Sequence, residues 1–337
     1  MANYVFIIAE ISANHGNDIE IVKKTMLKAK EIGADAVKIQ TYTADSITMD
    51  ADNEYFVIHD EKSLWNGRKL YDLYQEGSLP WEWHHELYAF AKANDILFFS
   101  TPFDNQAVDL LEECGNQIYK IASFEITDIP LIQYAASKMK PMIISTGIAT
   151  LEEIEEAVNA CLEVGNQDIT LLKCTSEYPA KIEDANLVMI RDLKERFNVK
   201  SGLSDHTMGA LAPMIAVAMG ASVIEKHFIL DREIGGPDAS FSMIPEEFGE
   251  MVRQVRLAEQ SLGKIDYETI KEKKSRHFRR SLFISQDVKK GDMISDGNIQ
   301  SVRPGVGLEP KYYKEILGKR FVKDIKKGTP LSKELFN

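Results

Sequence analysis

Short apolar runs rich in β-branched residues recur along the chain, with amphipathic stretches between them. They are Val5 to Ala9, Ala36 to Gln40, Ile96 to Ser100, Gln117 to Ala122, Pro141 to Ser145, Ile169 to Cys174, Val199 to Leu203 and Ser222 to Lys226. Runs of this length read as strands buried on both faces, and the helical periodicity between them makes the order β-then-α. About eight such units match a (β/α)8 barrel of roughly 250 residues, with a doubly wound sheet as the competing architecture. The polar residues decide for the barrel. Nearly every run ends in chemistry: Glu10; Lys38 and Gln40; Thr101; Lys120 with Ser123 and Glu125; Ser145; Thr175 and Ser176; Ser204 to His206; and His227. A barrel of this kind gathers all its C-terminal strand ends at one mouth.

One segment breaks the rhythm. Thr41 to Leu79 is too long for a βα loop and carries Tyr42, Tyr55, Phe56, Trp65, Tyr71 and Tyr74, which predicts a folded excursion over the mouth. His84 and His85 follow it on one helix. Neighbouring helical residues diverge by about 100°, so they are assigned to packing and surface rather than to a shared ligand. The most apolar helix, Met208 to Ala221, is interrupted by Pro213 and too short to span a bilayer, so it is expected to be a buried barrel helix. A last barrel helix begins near Pro245 and ends at Leu262 with Gly263 as its cap. The barrel is therefore expected over residues 1–264, followed by a solvated linker (265–280). In residues 281–337 a near-repeat appears, Asp287 to Ser295 and Asp324 to Ser332, each read as strand, Lys-Lys-Gly turn and second strand. A β-rich domain of that size has a marginal core and is expected to dock on something.

Composition narrows the class. The chain has 337 residues, 44% of them hydrophobic, and a net charge of −12. An acidic chain lacks the basic field that a nucleic-acid surface needs, so no nucleic-acid or membrane partner is expected. The three cysteines, Cys114, Cys161 and Cys174, have no paired spacing and are read as reduced thiols, Cys174 as core packing. The N-terminal MANYVFIIAE is too short for a signal segment and breaks at Glu10, which predicts a cytoplasmic protein.

Two features carry candidate chemistry. His206 and His227 fall just past two strands joined by a helix, so their imidazoles come together and form a candidate divalent-cation site. Asp205 and Glu225 are expected as their supporting carboxylates. Imidazoles alone suit Zn or Ni, whereas a site completed by oxygen ligands suits Mn or Mg. Lys38 and Lys120 sit at strand ends of an acidic protein, which points to an anionic ligand between them or to pairing with nearby Asp or Glu.

The motifs IAEISANHGN, AVKIQTY, YKIASFEI, IISTG, LLKCTSEYP, GLSDHT, EKHF and GGPDASFSM occur in order, followed by FRRSLFI and VRPGVG. Together they resemble the sialic acid synthase family over the full length. That resemblance implies a TIM barrel followed by an antifreeze-like (SAF) domain. It implies condensation of phosphoenolpyruvate with an open-chain amino sugar to give a nine-carbon 2-keto acid. It places Lys38, Gln40, Ser123, Ser145 and Ser204 on the phosphate and Thr101 and Lys120 near the carboxylate. Glu125 is matched to the developing cationic centre and Glu10 to the aldehyde proton. Tyr178 and Asp238 match sugar contacts, and Arg303 matches a contact to the sugar's acetamido group. His206 and His227 match the metal ligands, with Mn2+ generally used and Mg2+ or Co2+ as substitutes. The family also implies a domain-swapped homodimer, in which Arg303 would serve the partner's barrel. The chain departs from members acting on N-acetylmannosamine by having Ser176, where they typically carry Asn. With the aromatic excursion, this favours 2,4-diacetamido-2,4,6-trideoxy-L-altrose as the sugar. N-acetylneuraminate or legionaminate synthesis, a metal-dependent aldolase and a non-enzymatic SAF-type binder remain the competing expectations.

Overall fold

The computed structural model describes residues 4–60, 63–267 and 270–337. The start of the N-terminal run, two residues of the excursion and two of the expected linker lie outside that set. The chain divides into two compact units, Met1–Gly263 and Lys264–Asn337.

In the first unit, eight parallel strands close into a barrel: β1 (Phe6–Glu10), β2 (Ala36–Thr41), β3 (Leu97–Pro102), β4 (Tyr119–Ile121), β5 (Met142–Ser145), β6 (Ile169–Cys174), β7 (Lys200–Asp205) and β8 (Val223–His227). β8 returns to β1 in register, Glu10 opposite His227, so no edge is left open. The helices are α1 (Ile19–Glu31), α2 (Ala44–Ile47), α3 (Leu70–Gly77), α4 (His84–Ala93), α5 (Asn105–Glu113), α6 (Ile129–Ala136), α7 (Leu151–Glu163), α8 (Met189–Phe197), α9 (Leu211–Ala218) and α10 (Pro245–Leu262). Their starts are chemically marked: Asp18 caps α1, Thr150 and Glu153 form a reciprocal box on α7, and Pro245 opens α10.

Outward-facing strand residues pack against the helices in the main core, with Ile7, Ile39, Ile144, Leu171 and Ile224 among them. The inward-facing ones form a smaller apolar layer of Ile8, Ala36, Phe99, Ile143, Leu172 and Val223. Gly202 belongs to this layer because nothing larger fits: a Cβ there would lie 2.2 Å from the Val223 carbonyl oxygen. The excursion after β2 is folded, as expected, with α2, α3 and a bridge between Val57 and Lys69.

The stretch read as a solvated linker carries the short α11 (Ile270–Ser275), and residues 273–280 are exposed. Two expectations need correction. The helix expected to be a buried barrel helix is α9, which buries Ala212, Ala216 and Val217, yet Leu211 and Ile215 on it, and Met208 just before it, are exposed. In the second unit the near-repeats are not two separate hairpins; they pair with each other. Val288 bridges Ile325, Asp287 accepts from the side chain of Lys326 and the backbone of Lys327, and Asp324 accepts from Lys289 and Lys290 in the same way. Each Lys-Lys-Gly turn is thus held by the other repeat's aspartate. The rest of the unit is β9 (Ser281–Ile284) antiparallel to β10 (Ile299–Val302), with α12 (Tyr313–Ile316), around a core that includes Leu282, Ile299, Phe321 and Leu331. Among the described residues, no helix is long and apolar enough to cross a membrane.

Candidate active site

A step of two residues along a strand keeps a side chain on the same face. From the apolar layer inside the barrel, one such step toward the C-terminal ends reaches Glu10, Lys38, Thr101, Lys120, Ser145, Cys174, Ser204 and Glu225. None of these is more than 5% exposed. A second step reaches Gln40, His206 and His227. The strands that read as continuous apolar runs therefore change into a ring of polar groups at one barrel mouth.

The ring holds its own charges in pairs. Lys38 pairs with Glu10, donates to Thr101 Oγ1 at 2.9 Å and lies 3.9 Å from Glu225 Oε2. Lys120 Nζ lies 3.4 Å from Glu225 Oε1, which also accepts from Ser204 Oγ at 3.2 Å. Of the two interpretations of the lysines, pairing with carboxylates is thus realised within the chain. The two carboxylates titrate apart. Burial pushes the Glu10 carboxyl above the usual carboxylate range, Lys38 pulls it partly back, and the nearby Glu225 charge raises it again. Burial acts on Glu225 too, but Lys120, Lys38 and His206 outweigh it and hold that group ionised. Glu125, beyond the end of β4, is raised to about 7, mainly by burial, with Lys120 opposing.

Buried polar atoms normally find partners. Among the described residues, Glu10 Oε1, Glu125 Oε2, Ser145 Oγ, Glu225 Oε2 and His227 Nδ1 are buried without a hydrogen bond and belong to this mouth; Asn14 Oδ1 and Ser201 Oγ are unpartnered outside the ring. Such clustering is what a polar ligand site produces.

The two imidazoles come together, with ring centroids 5.3 Å apart. His206 Nδ1 lies 2.9 Å from the Thr175 carbonyl, which can only accept, so Nδ1 carries a proton and Nε2 is the nitrogen left to ligate in the neutral ring; burial lowers the ring's pKa, but Cys174 and the Thr175 carbonyl outweigh burial and raise it. Burial and the surrounding cations hold His227 well below its ordinary range, leaving it neutral. Neither carboxylate expected to support them does so. Asp205 points to the outer face of β7, taking Lys226 Nζ at 2.5 Å and the Thr207 hydroxyl at 2.8 Å, while Glu225 faces the lysines. Asp238 is the carboxylate beside His227, at 3.7 Å, and it also accepts from the Ala13 backbone. Among the described residues no group of three or more His, Cys, Asp or Glu converges as a ready metal cage. Two imidazoles with a free ring nitrogen do fit a divalent cation that takes its remaining ligands from water and substrate.

Cys174 is also placed differently from its core-packing expectation. It occupies the ring, with Sγ 3.8 Å from His206 Nδ1 and from Ser176 Oγ. Burial alone would raise its thiol, but the His206 imidazole, a hydrogen bond with Ser123 and the Lys120 charge together outweigh burial and bring it down to about 6. Its place at the apolar end of a strand gave no sign of this; counting two residues on from Leu172 does. Tyr178 stacks on His206 at 4.3 Å and meets Trp65 of the excursion at 5.8 Å. Ser123 accepts from the Gly147 backbone at 3.1 Å, where a Cβ on Gly147 would lie 2.2 Å from Ser176 Oγ. Gln40, Glu125, Tyr178, His227 and Asp238 border a cavity of about 340 Å³. Arg303 belongs to the second unit, where it is exposed. His84 is buried and bonded to Thr41 at 2.8 Å, and His85 is exposed beside Cys114, so neither joins the ring.

The sequence model of the NeuB family matches residues 25–267, and that of the SAF domain matches residues 279–337. A pseudaminic acid synthase of Campylobacter jejuni subsp. jejuni is 50% identical over 97% of this chain and 95% of its own length. A pseudaminic acid synthase of Helicobacter pylori is 48% identical over 97% and 96%. The crystal structure of an N-acetylneuraminic acid synthetase from Leptospira borgpetersenii superposes with a TM-score of 0.72 at 33% identity, covering 81% of this chain and 90% of that one.

Proposed function

The chain belongs to the NeuB family, and from that premise we propose that it condenses phosphoenolpyruvate with 2,4-diacetamido-2,4,6-trideoxy-L-altrose and water, giving pseudaminic acid and phosphate. The observation that carries the reading is the ring: two buried lysines, several hydroxyls and unpartnered carboxylate oxygens converge on one barrel mouth. Phosphoenolpyruvate brings a phosphate and a carboxylate, and charge-assisted bonds from Lys and Ser suit both. Lys38, Gln40, Ser123, Ser145 and Ser204 would hold the phosphate, and Thr101 and Lys120 the carboxylate. Binding would draw the lysines from Glu225 toward the ligand.

Glu10, whose carboxyl burial raises to about 7 against the pull of Lys38, can hold a proton near neutral pH once Lys38 turns to the ligand, and is placed to give it to the sugar's aldehyde oxygen as C3 of phosphoenolpyruvate bonds to the aldehyde carbon. Cationic character then appears at C2, where the Glu125 carboxylate stabilises it or positions the water that adds. The tetrahedral intermediate expels phosphate by breaking its C–O bond. Tyr178 and Asp238 would contact the sugar, and Arg303 its acetamido group. His206 and His227 would hold a divalent cation, Mn2+ by preference over Mg2+ or Co2+. When bound, it supplies Lewis-acid polarisation of the aldehyde. Titration of Mn2+ followed by electron paramagnetic resonance checks this: His206→Ala should lose the binding that the unaltered chain shows, and equal binding in both would remove the assignment.

The same reading takes the chain to be a domain-swapped homodimer in which Arg303 completes the partner's site. Two features support it: the second unit's small core, and its excess of Lys and Arg over Asp and Glu in a chain whose net charge is −12. The test of the function is phosphate release from phosphoenolpyruvate with a panel of amino sugars. Release with the altrose derivative is expected; release with N-acetylmannosamine and none with the altrose derivative would overturn the assignment.

A further inference from the structure

The cavity over the mouth has two unlike sides. One is the polar set of Gln40, Glu125, Tyr178, His227 and Asp238. The other comes from the excursion and is largely apolar: Ile47, Ile58, Trp65, Leu70, Leu73 and Tyr74. Ile47, Ile58 and Leu70 are only half-buried, so these side chains are not the excursion's own packed core. Their backbone is held in place: Ile58 N–H donates to the Arg68 carbonyl at 3.0 Å, and its own carbonyl accepts from Gly67 at 2.7 Å. Trp65 Nε1 donates to the Pro237 carbonyl at 3.3 Å, fixing the wall beside Asp238. The excursion also brings Asp60 and Ser63 to the cavity, and Ser63 Oγ is taken by the Trp65 backbone N–H at 3.2 Å.

We infer that this wall is the specificity surface for the methyl groups of the acceptor sugar, with Ile58 and Leu70 as the residues that read them. The inference rests on the function proposed above and deepens it. The altrose derivative carries three methyl groups, at C6 and on each acetamido group, whereas N-acetylmannosamine carries one and has hydroxyls at C4 and C6. A methyl set against the wall leaves water at no polar cost. A hydroxyl set against Ile47, Ile58, Leu70 or Leu73 gives up its hydration to side chains that offer no hydrogen bond. A single methylene-sized difference in such a pocket discriminates by roughly 10- to 200-fold. The wall is blind to configuration and selects a 6-deoxy, di-N-acylated sugar as a class.

Steady-state kinetics with the altrose derivative and with N-acetylmannosamine test this in the full-length chain and in Ile58→Thr, Leu70→Asn and Ile58→Val. The first two variants place polarity on the wall; Ile58→Thr and Ile58→Val have the same shape and differ in the hydroxyl, and Leu70→Asn keeps the branched outline of leucine. Their ratio of kcat/KM for the altrose derivative over N-acetylmannosamine should fall by about 10-fold or more, through the KM of the altrose derivative. The KM for phosphoenolpyruvate should hold, and Ile58→Val should keep the discrimination. Equal losses for both sugars, or an unchanged ratio, would overturn the inference. If Ile58→Thr fails to fold, Leu70→Asn carries the same test from a different segment. Failure of the functional reading shows elsewhere, as no turnover of the altrose derivative by the unaltered chain, and it would remove both.

Discussion

Glu125 gives the mouth a measurable pH signature. Its carboxyl is raised from 4.5 to about 7 by burial. Between those values the unfolded chain has lost the proton that the folded chain keeps, so folding stability falls as pH rises through this window. Glu125→Gln removes that cost. Urea unfolding without substrates should show the variant gaining on the parent from pH 5 to pH 8, by at most about 3 kcal/mol; a difference equal at both pH values would contradict it. Lys120 tests the anion pocket. Losing one charge-assisted bond, worth roughly 1.5–3 kcal/mol, should raise the phosphoenolpyruvate KM of Lys120→Met by about 10- to 100-fold and leave the sugar KM little changed. An unchanged KM and kcat would refute the role. Most ring residues were legible because they follow apolar runs in a recognisable order. The partners of the imidazoles were not, because Asp205 and His206 are adjacent in sequence and point to opposite faces of β7. Cys174 was hidden for the opposite reason: a small thiol at the end of an apolar run looks like packing.

Elements built from buried parallel strands announce themselves, since both faces are apolar. The elements that failed were those whose partner lies elsewhere in the chain. The Lys-Lys-Gly turns read as local hairpins, yet each depends on an aspartate of the other repeat, Asp287 with Lys326 in one direction and Asp324 with Lys289 in the other. The apolar composition of α9 suggested a buried barrel helix, yet Leu211 and Ile215 are exposed. β7 offers the sharpest element-level test. A Cβ at Gly202 collides with the backbone of β8, which cannot turn aside as a side-chain end can. Gly202→Ala should therefore destabilise the barrel by about 1–3 kcal/mol or more, seen as a lowered Tm. A variant as stable as the parent would show that the β7–β8 spacing is set by something else.

At the scale of the molecule, the proposed swap makes a prediction that separates it from two independent chains. If the chain forms the proposed dimer, co-expression of Arg303→Ala with His206→Ala chains would yield mixed dimers. If Arg303 serves the partner's barrel, each mixed dimer has one intact barrel completed by an intact Arg303, and activity should return well above either parent. Mixed dimers no more active than the parents would eliminate the swap. The central claim is that the polar ring of this barrel runs a condensation in which phosphoenolpyruvate loses phosphate by C–O cleavage. Phosphoenolpyruvate labelled with 18O at the bridge between C2 and phosphorus tests it directly, with the altrose derivative as acceptor and 31P nuclear magnetic resonance as the readout. The account predicts that the released phosphate carries the label; unlabelled phosphate, or none released, would contradict it.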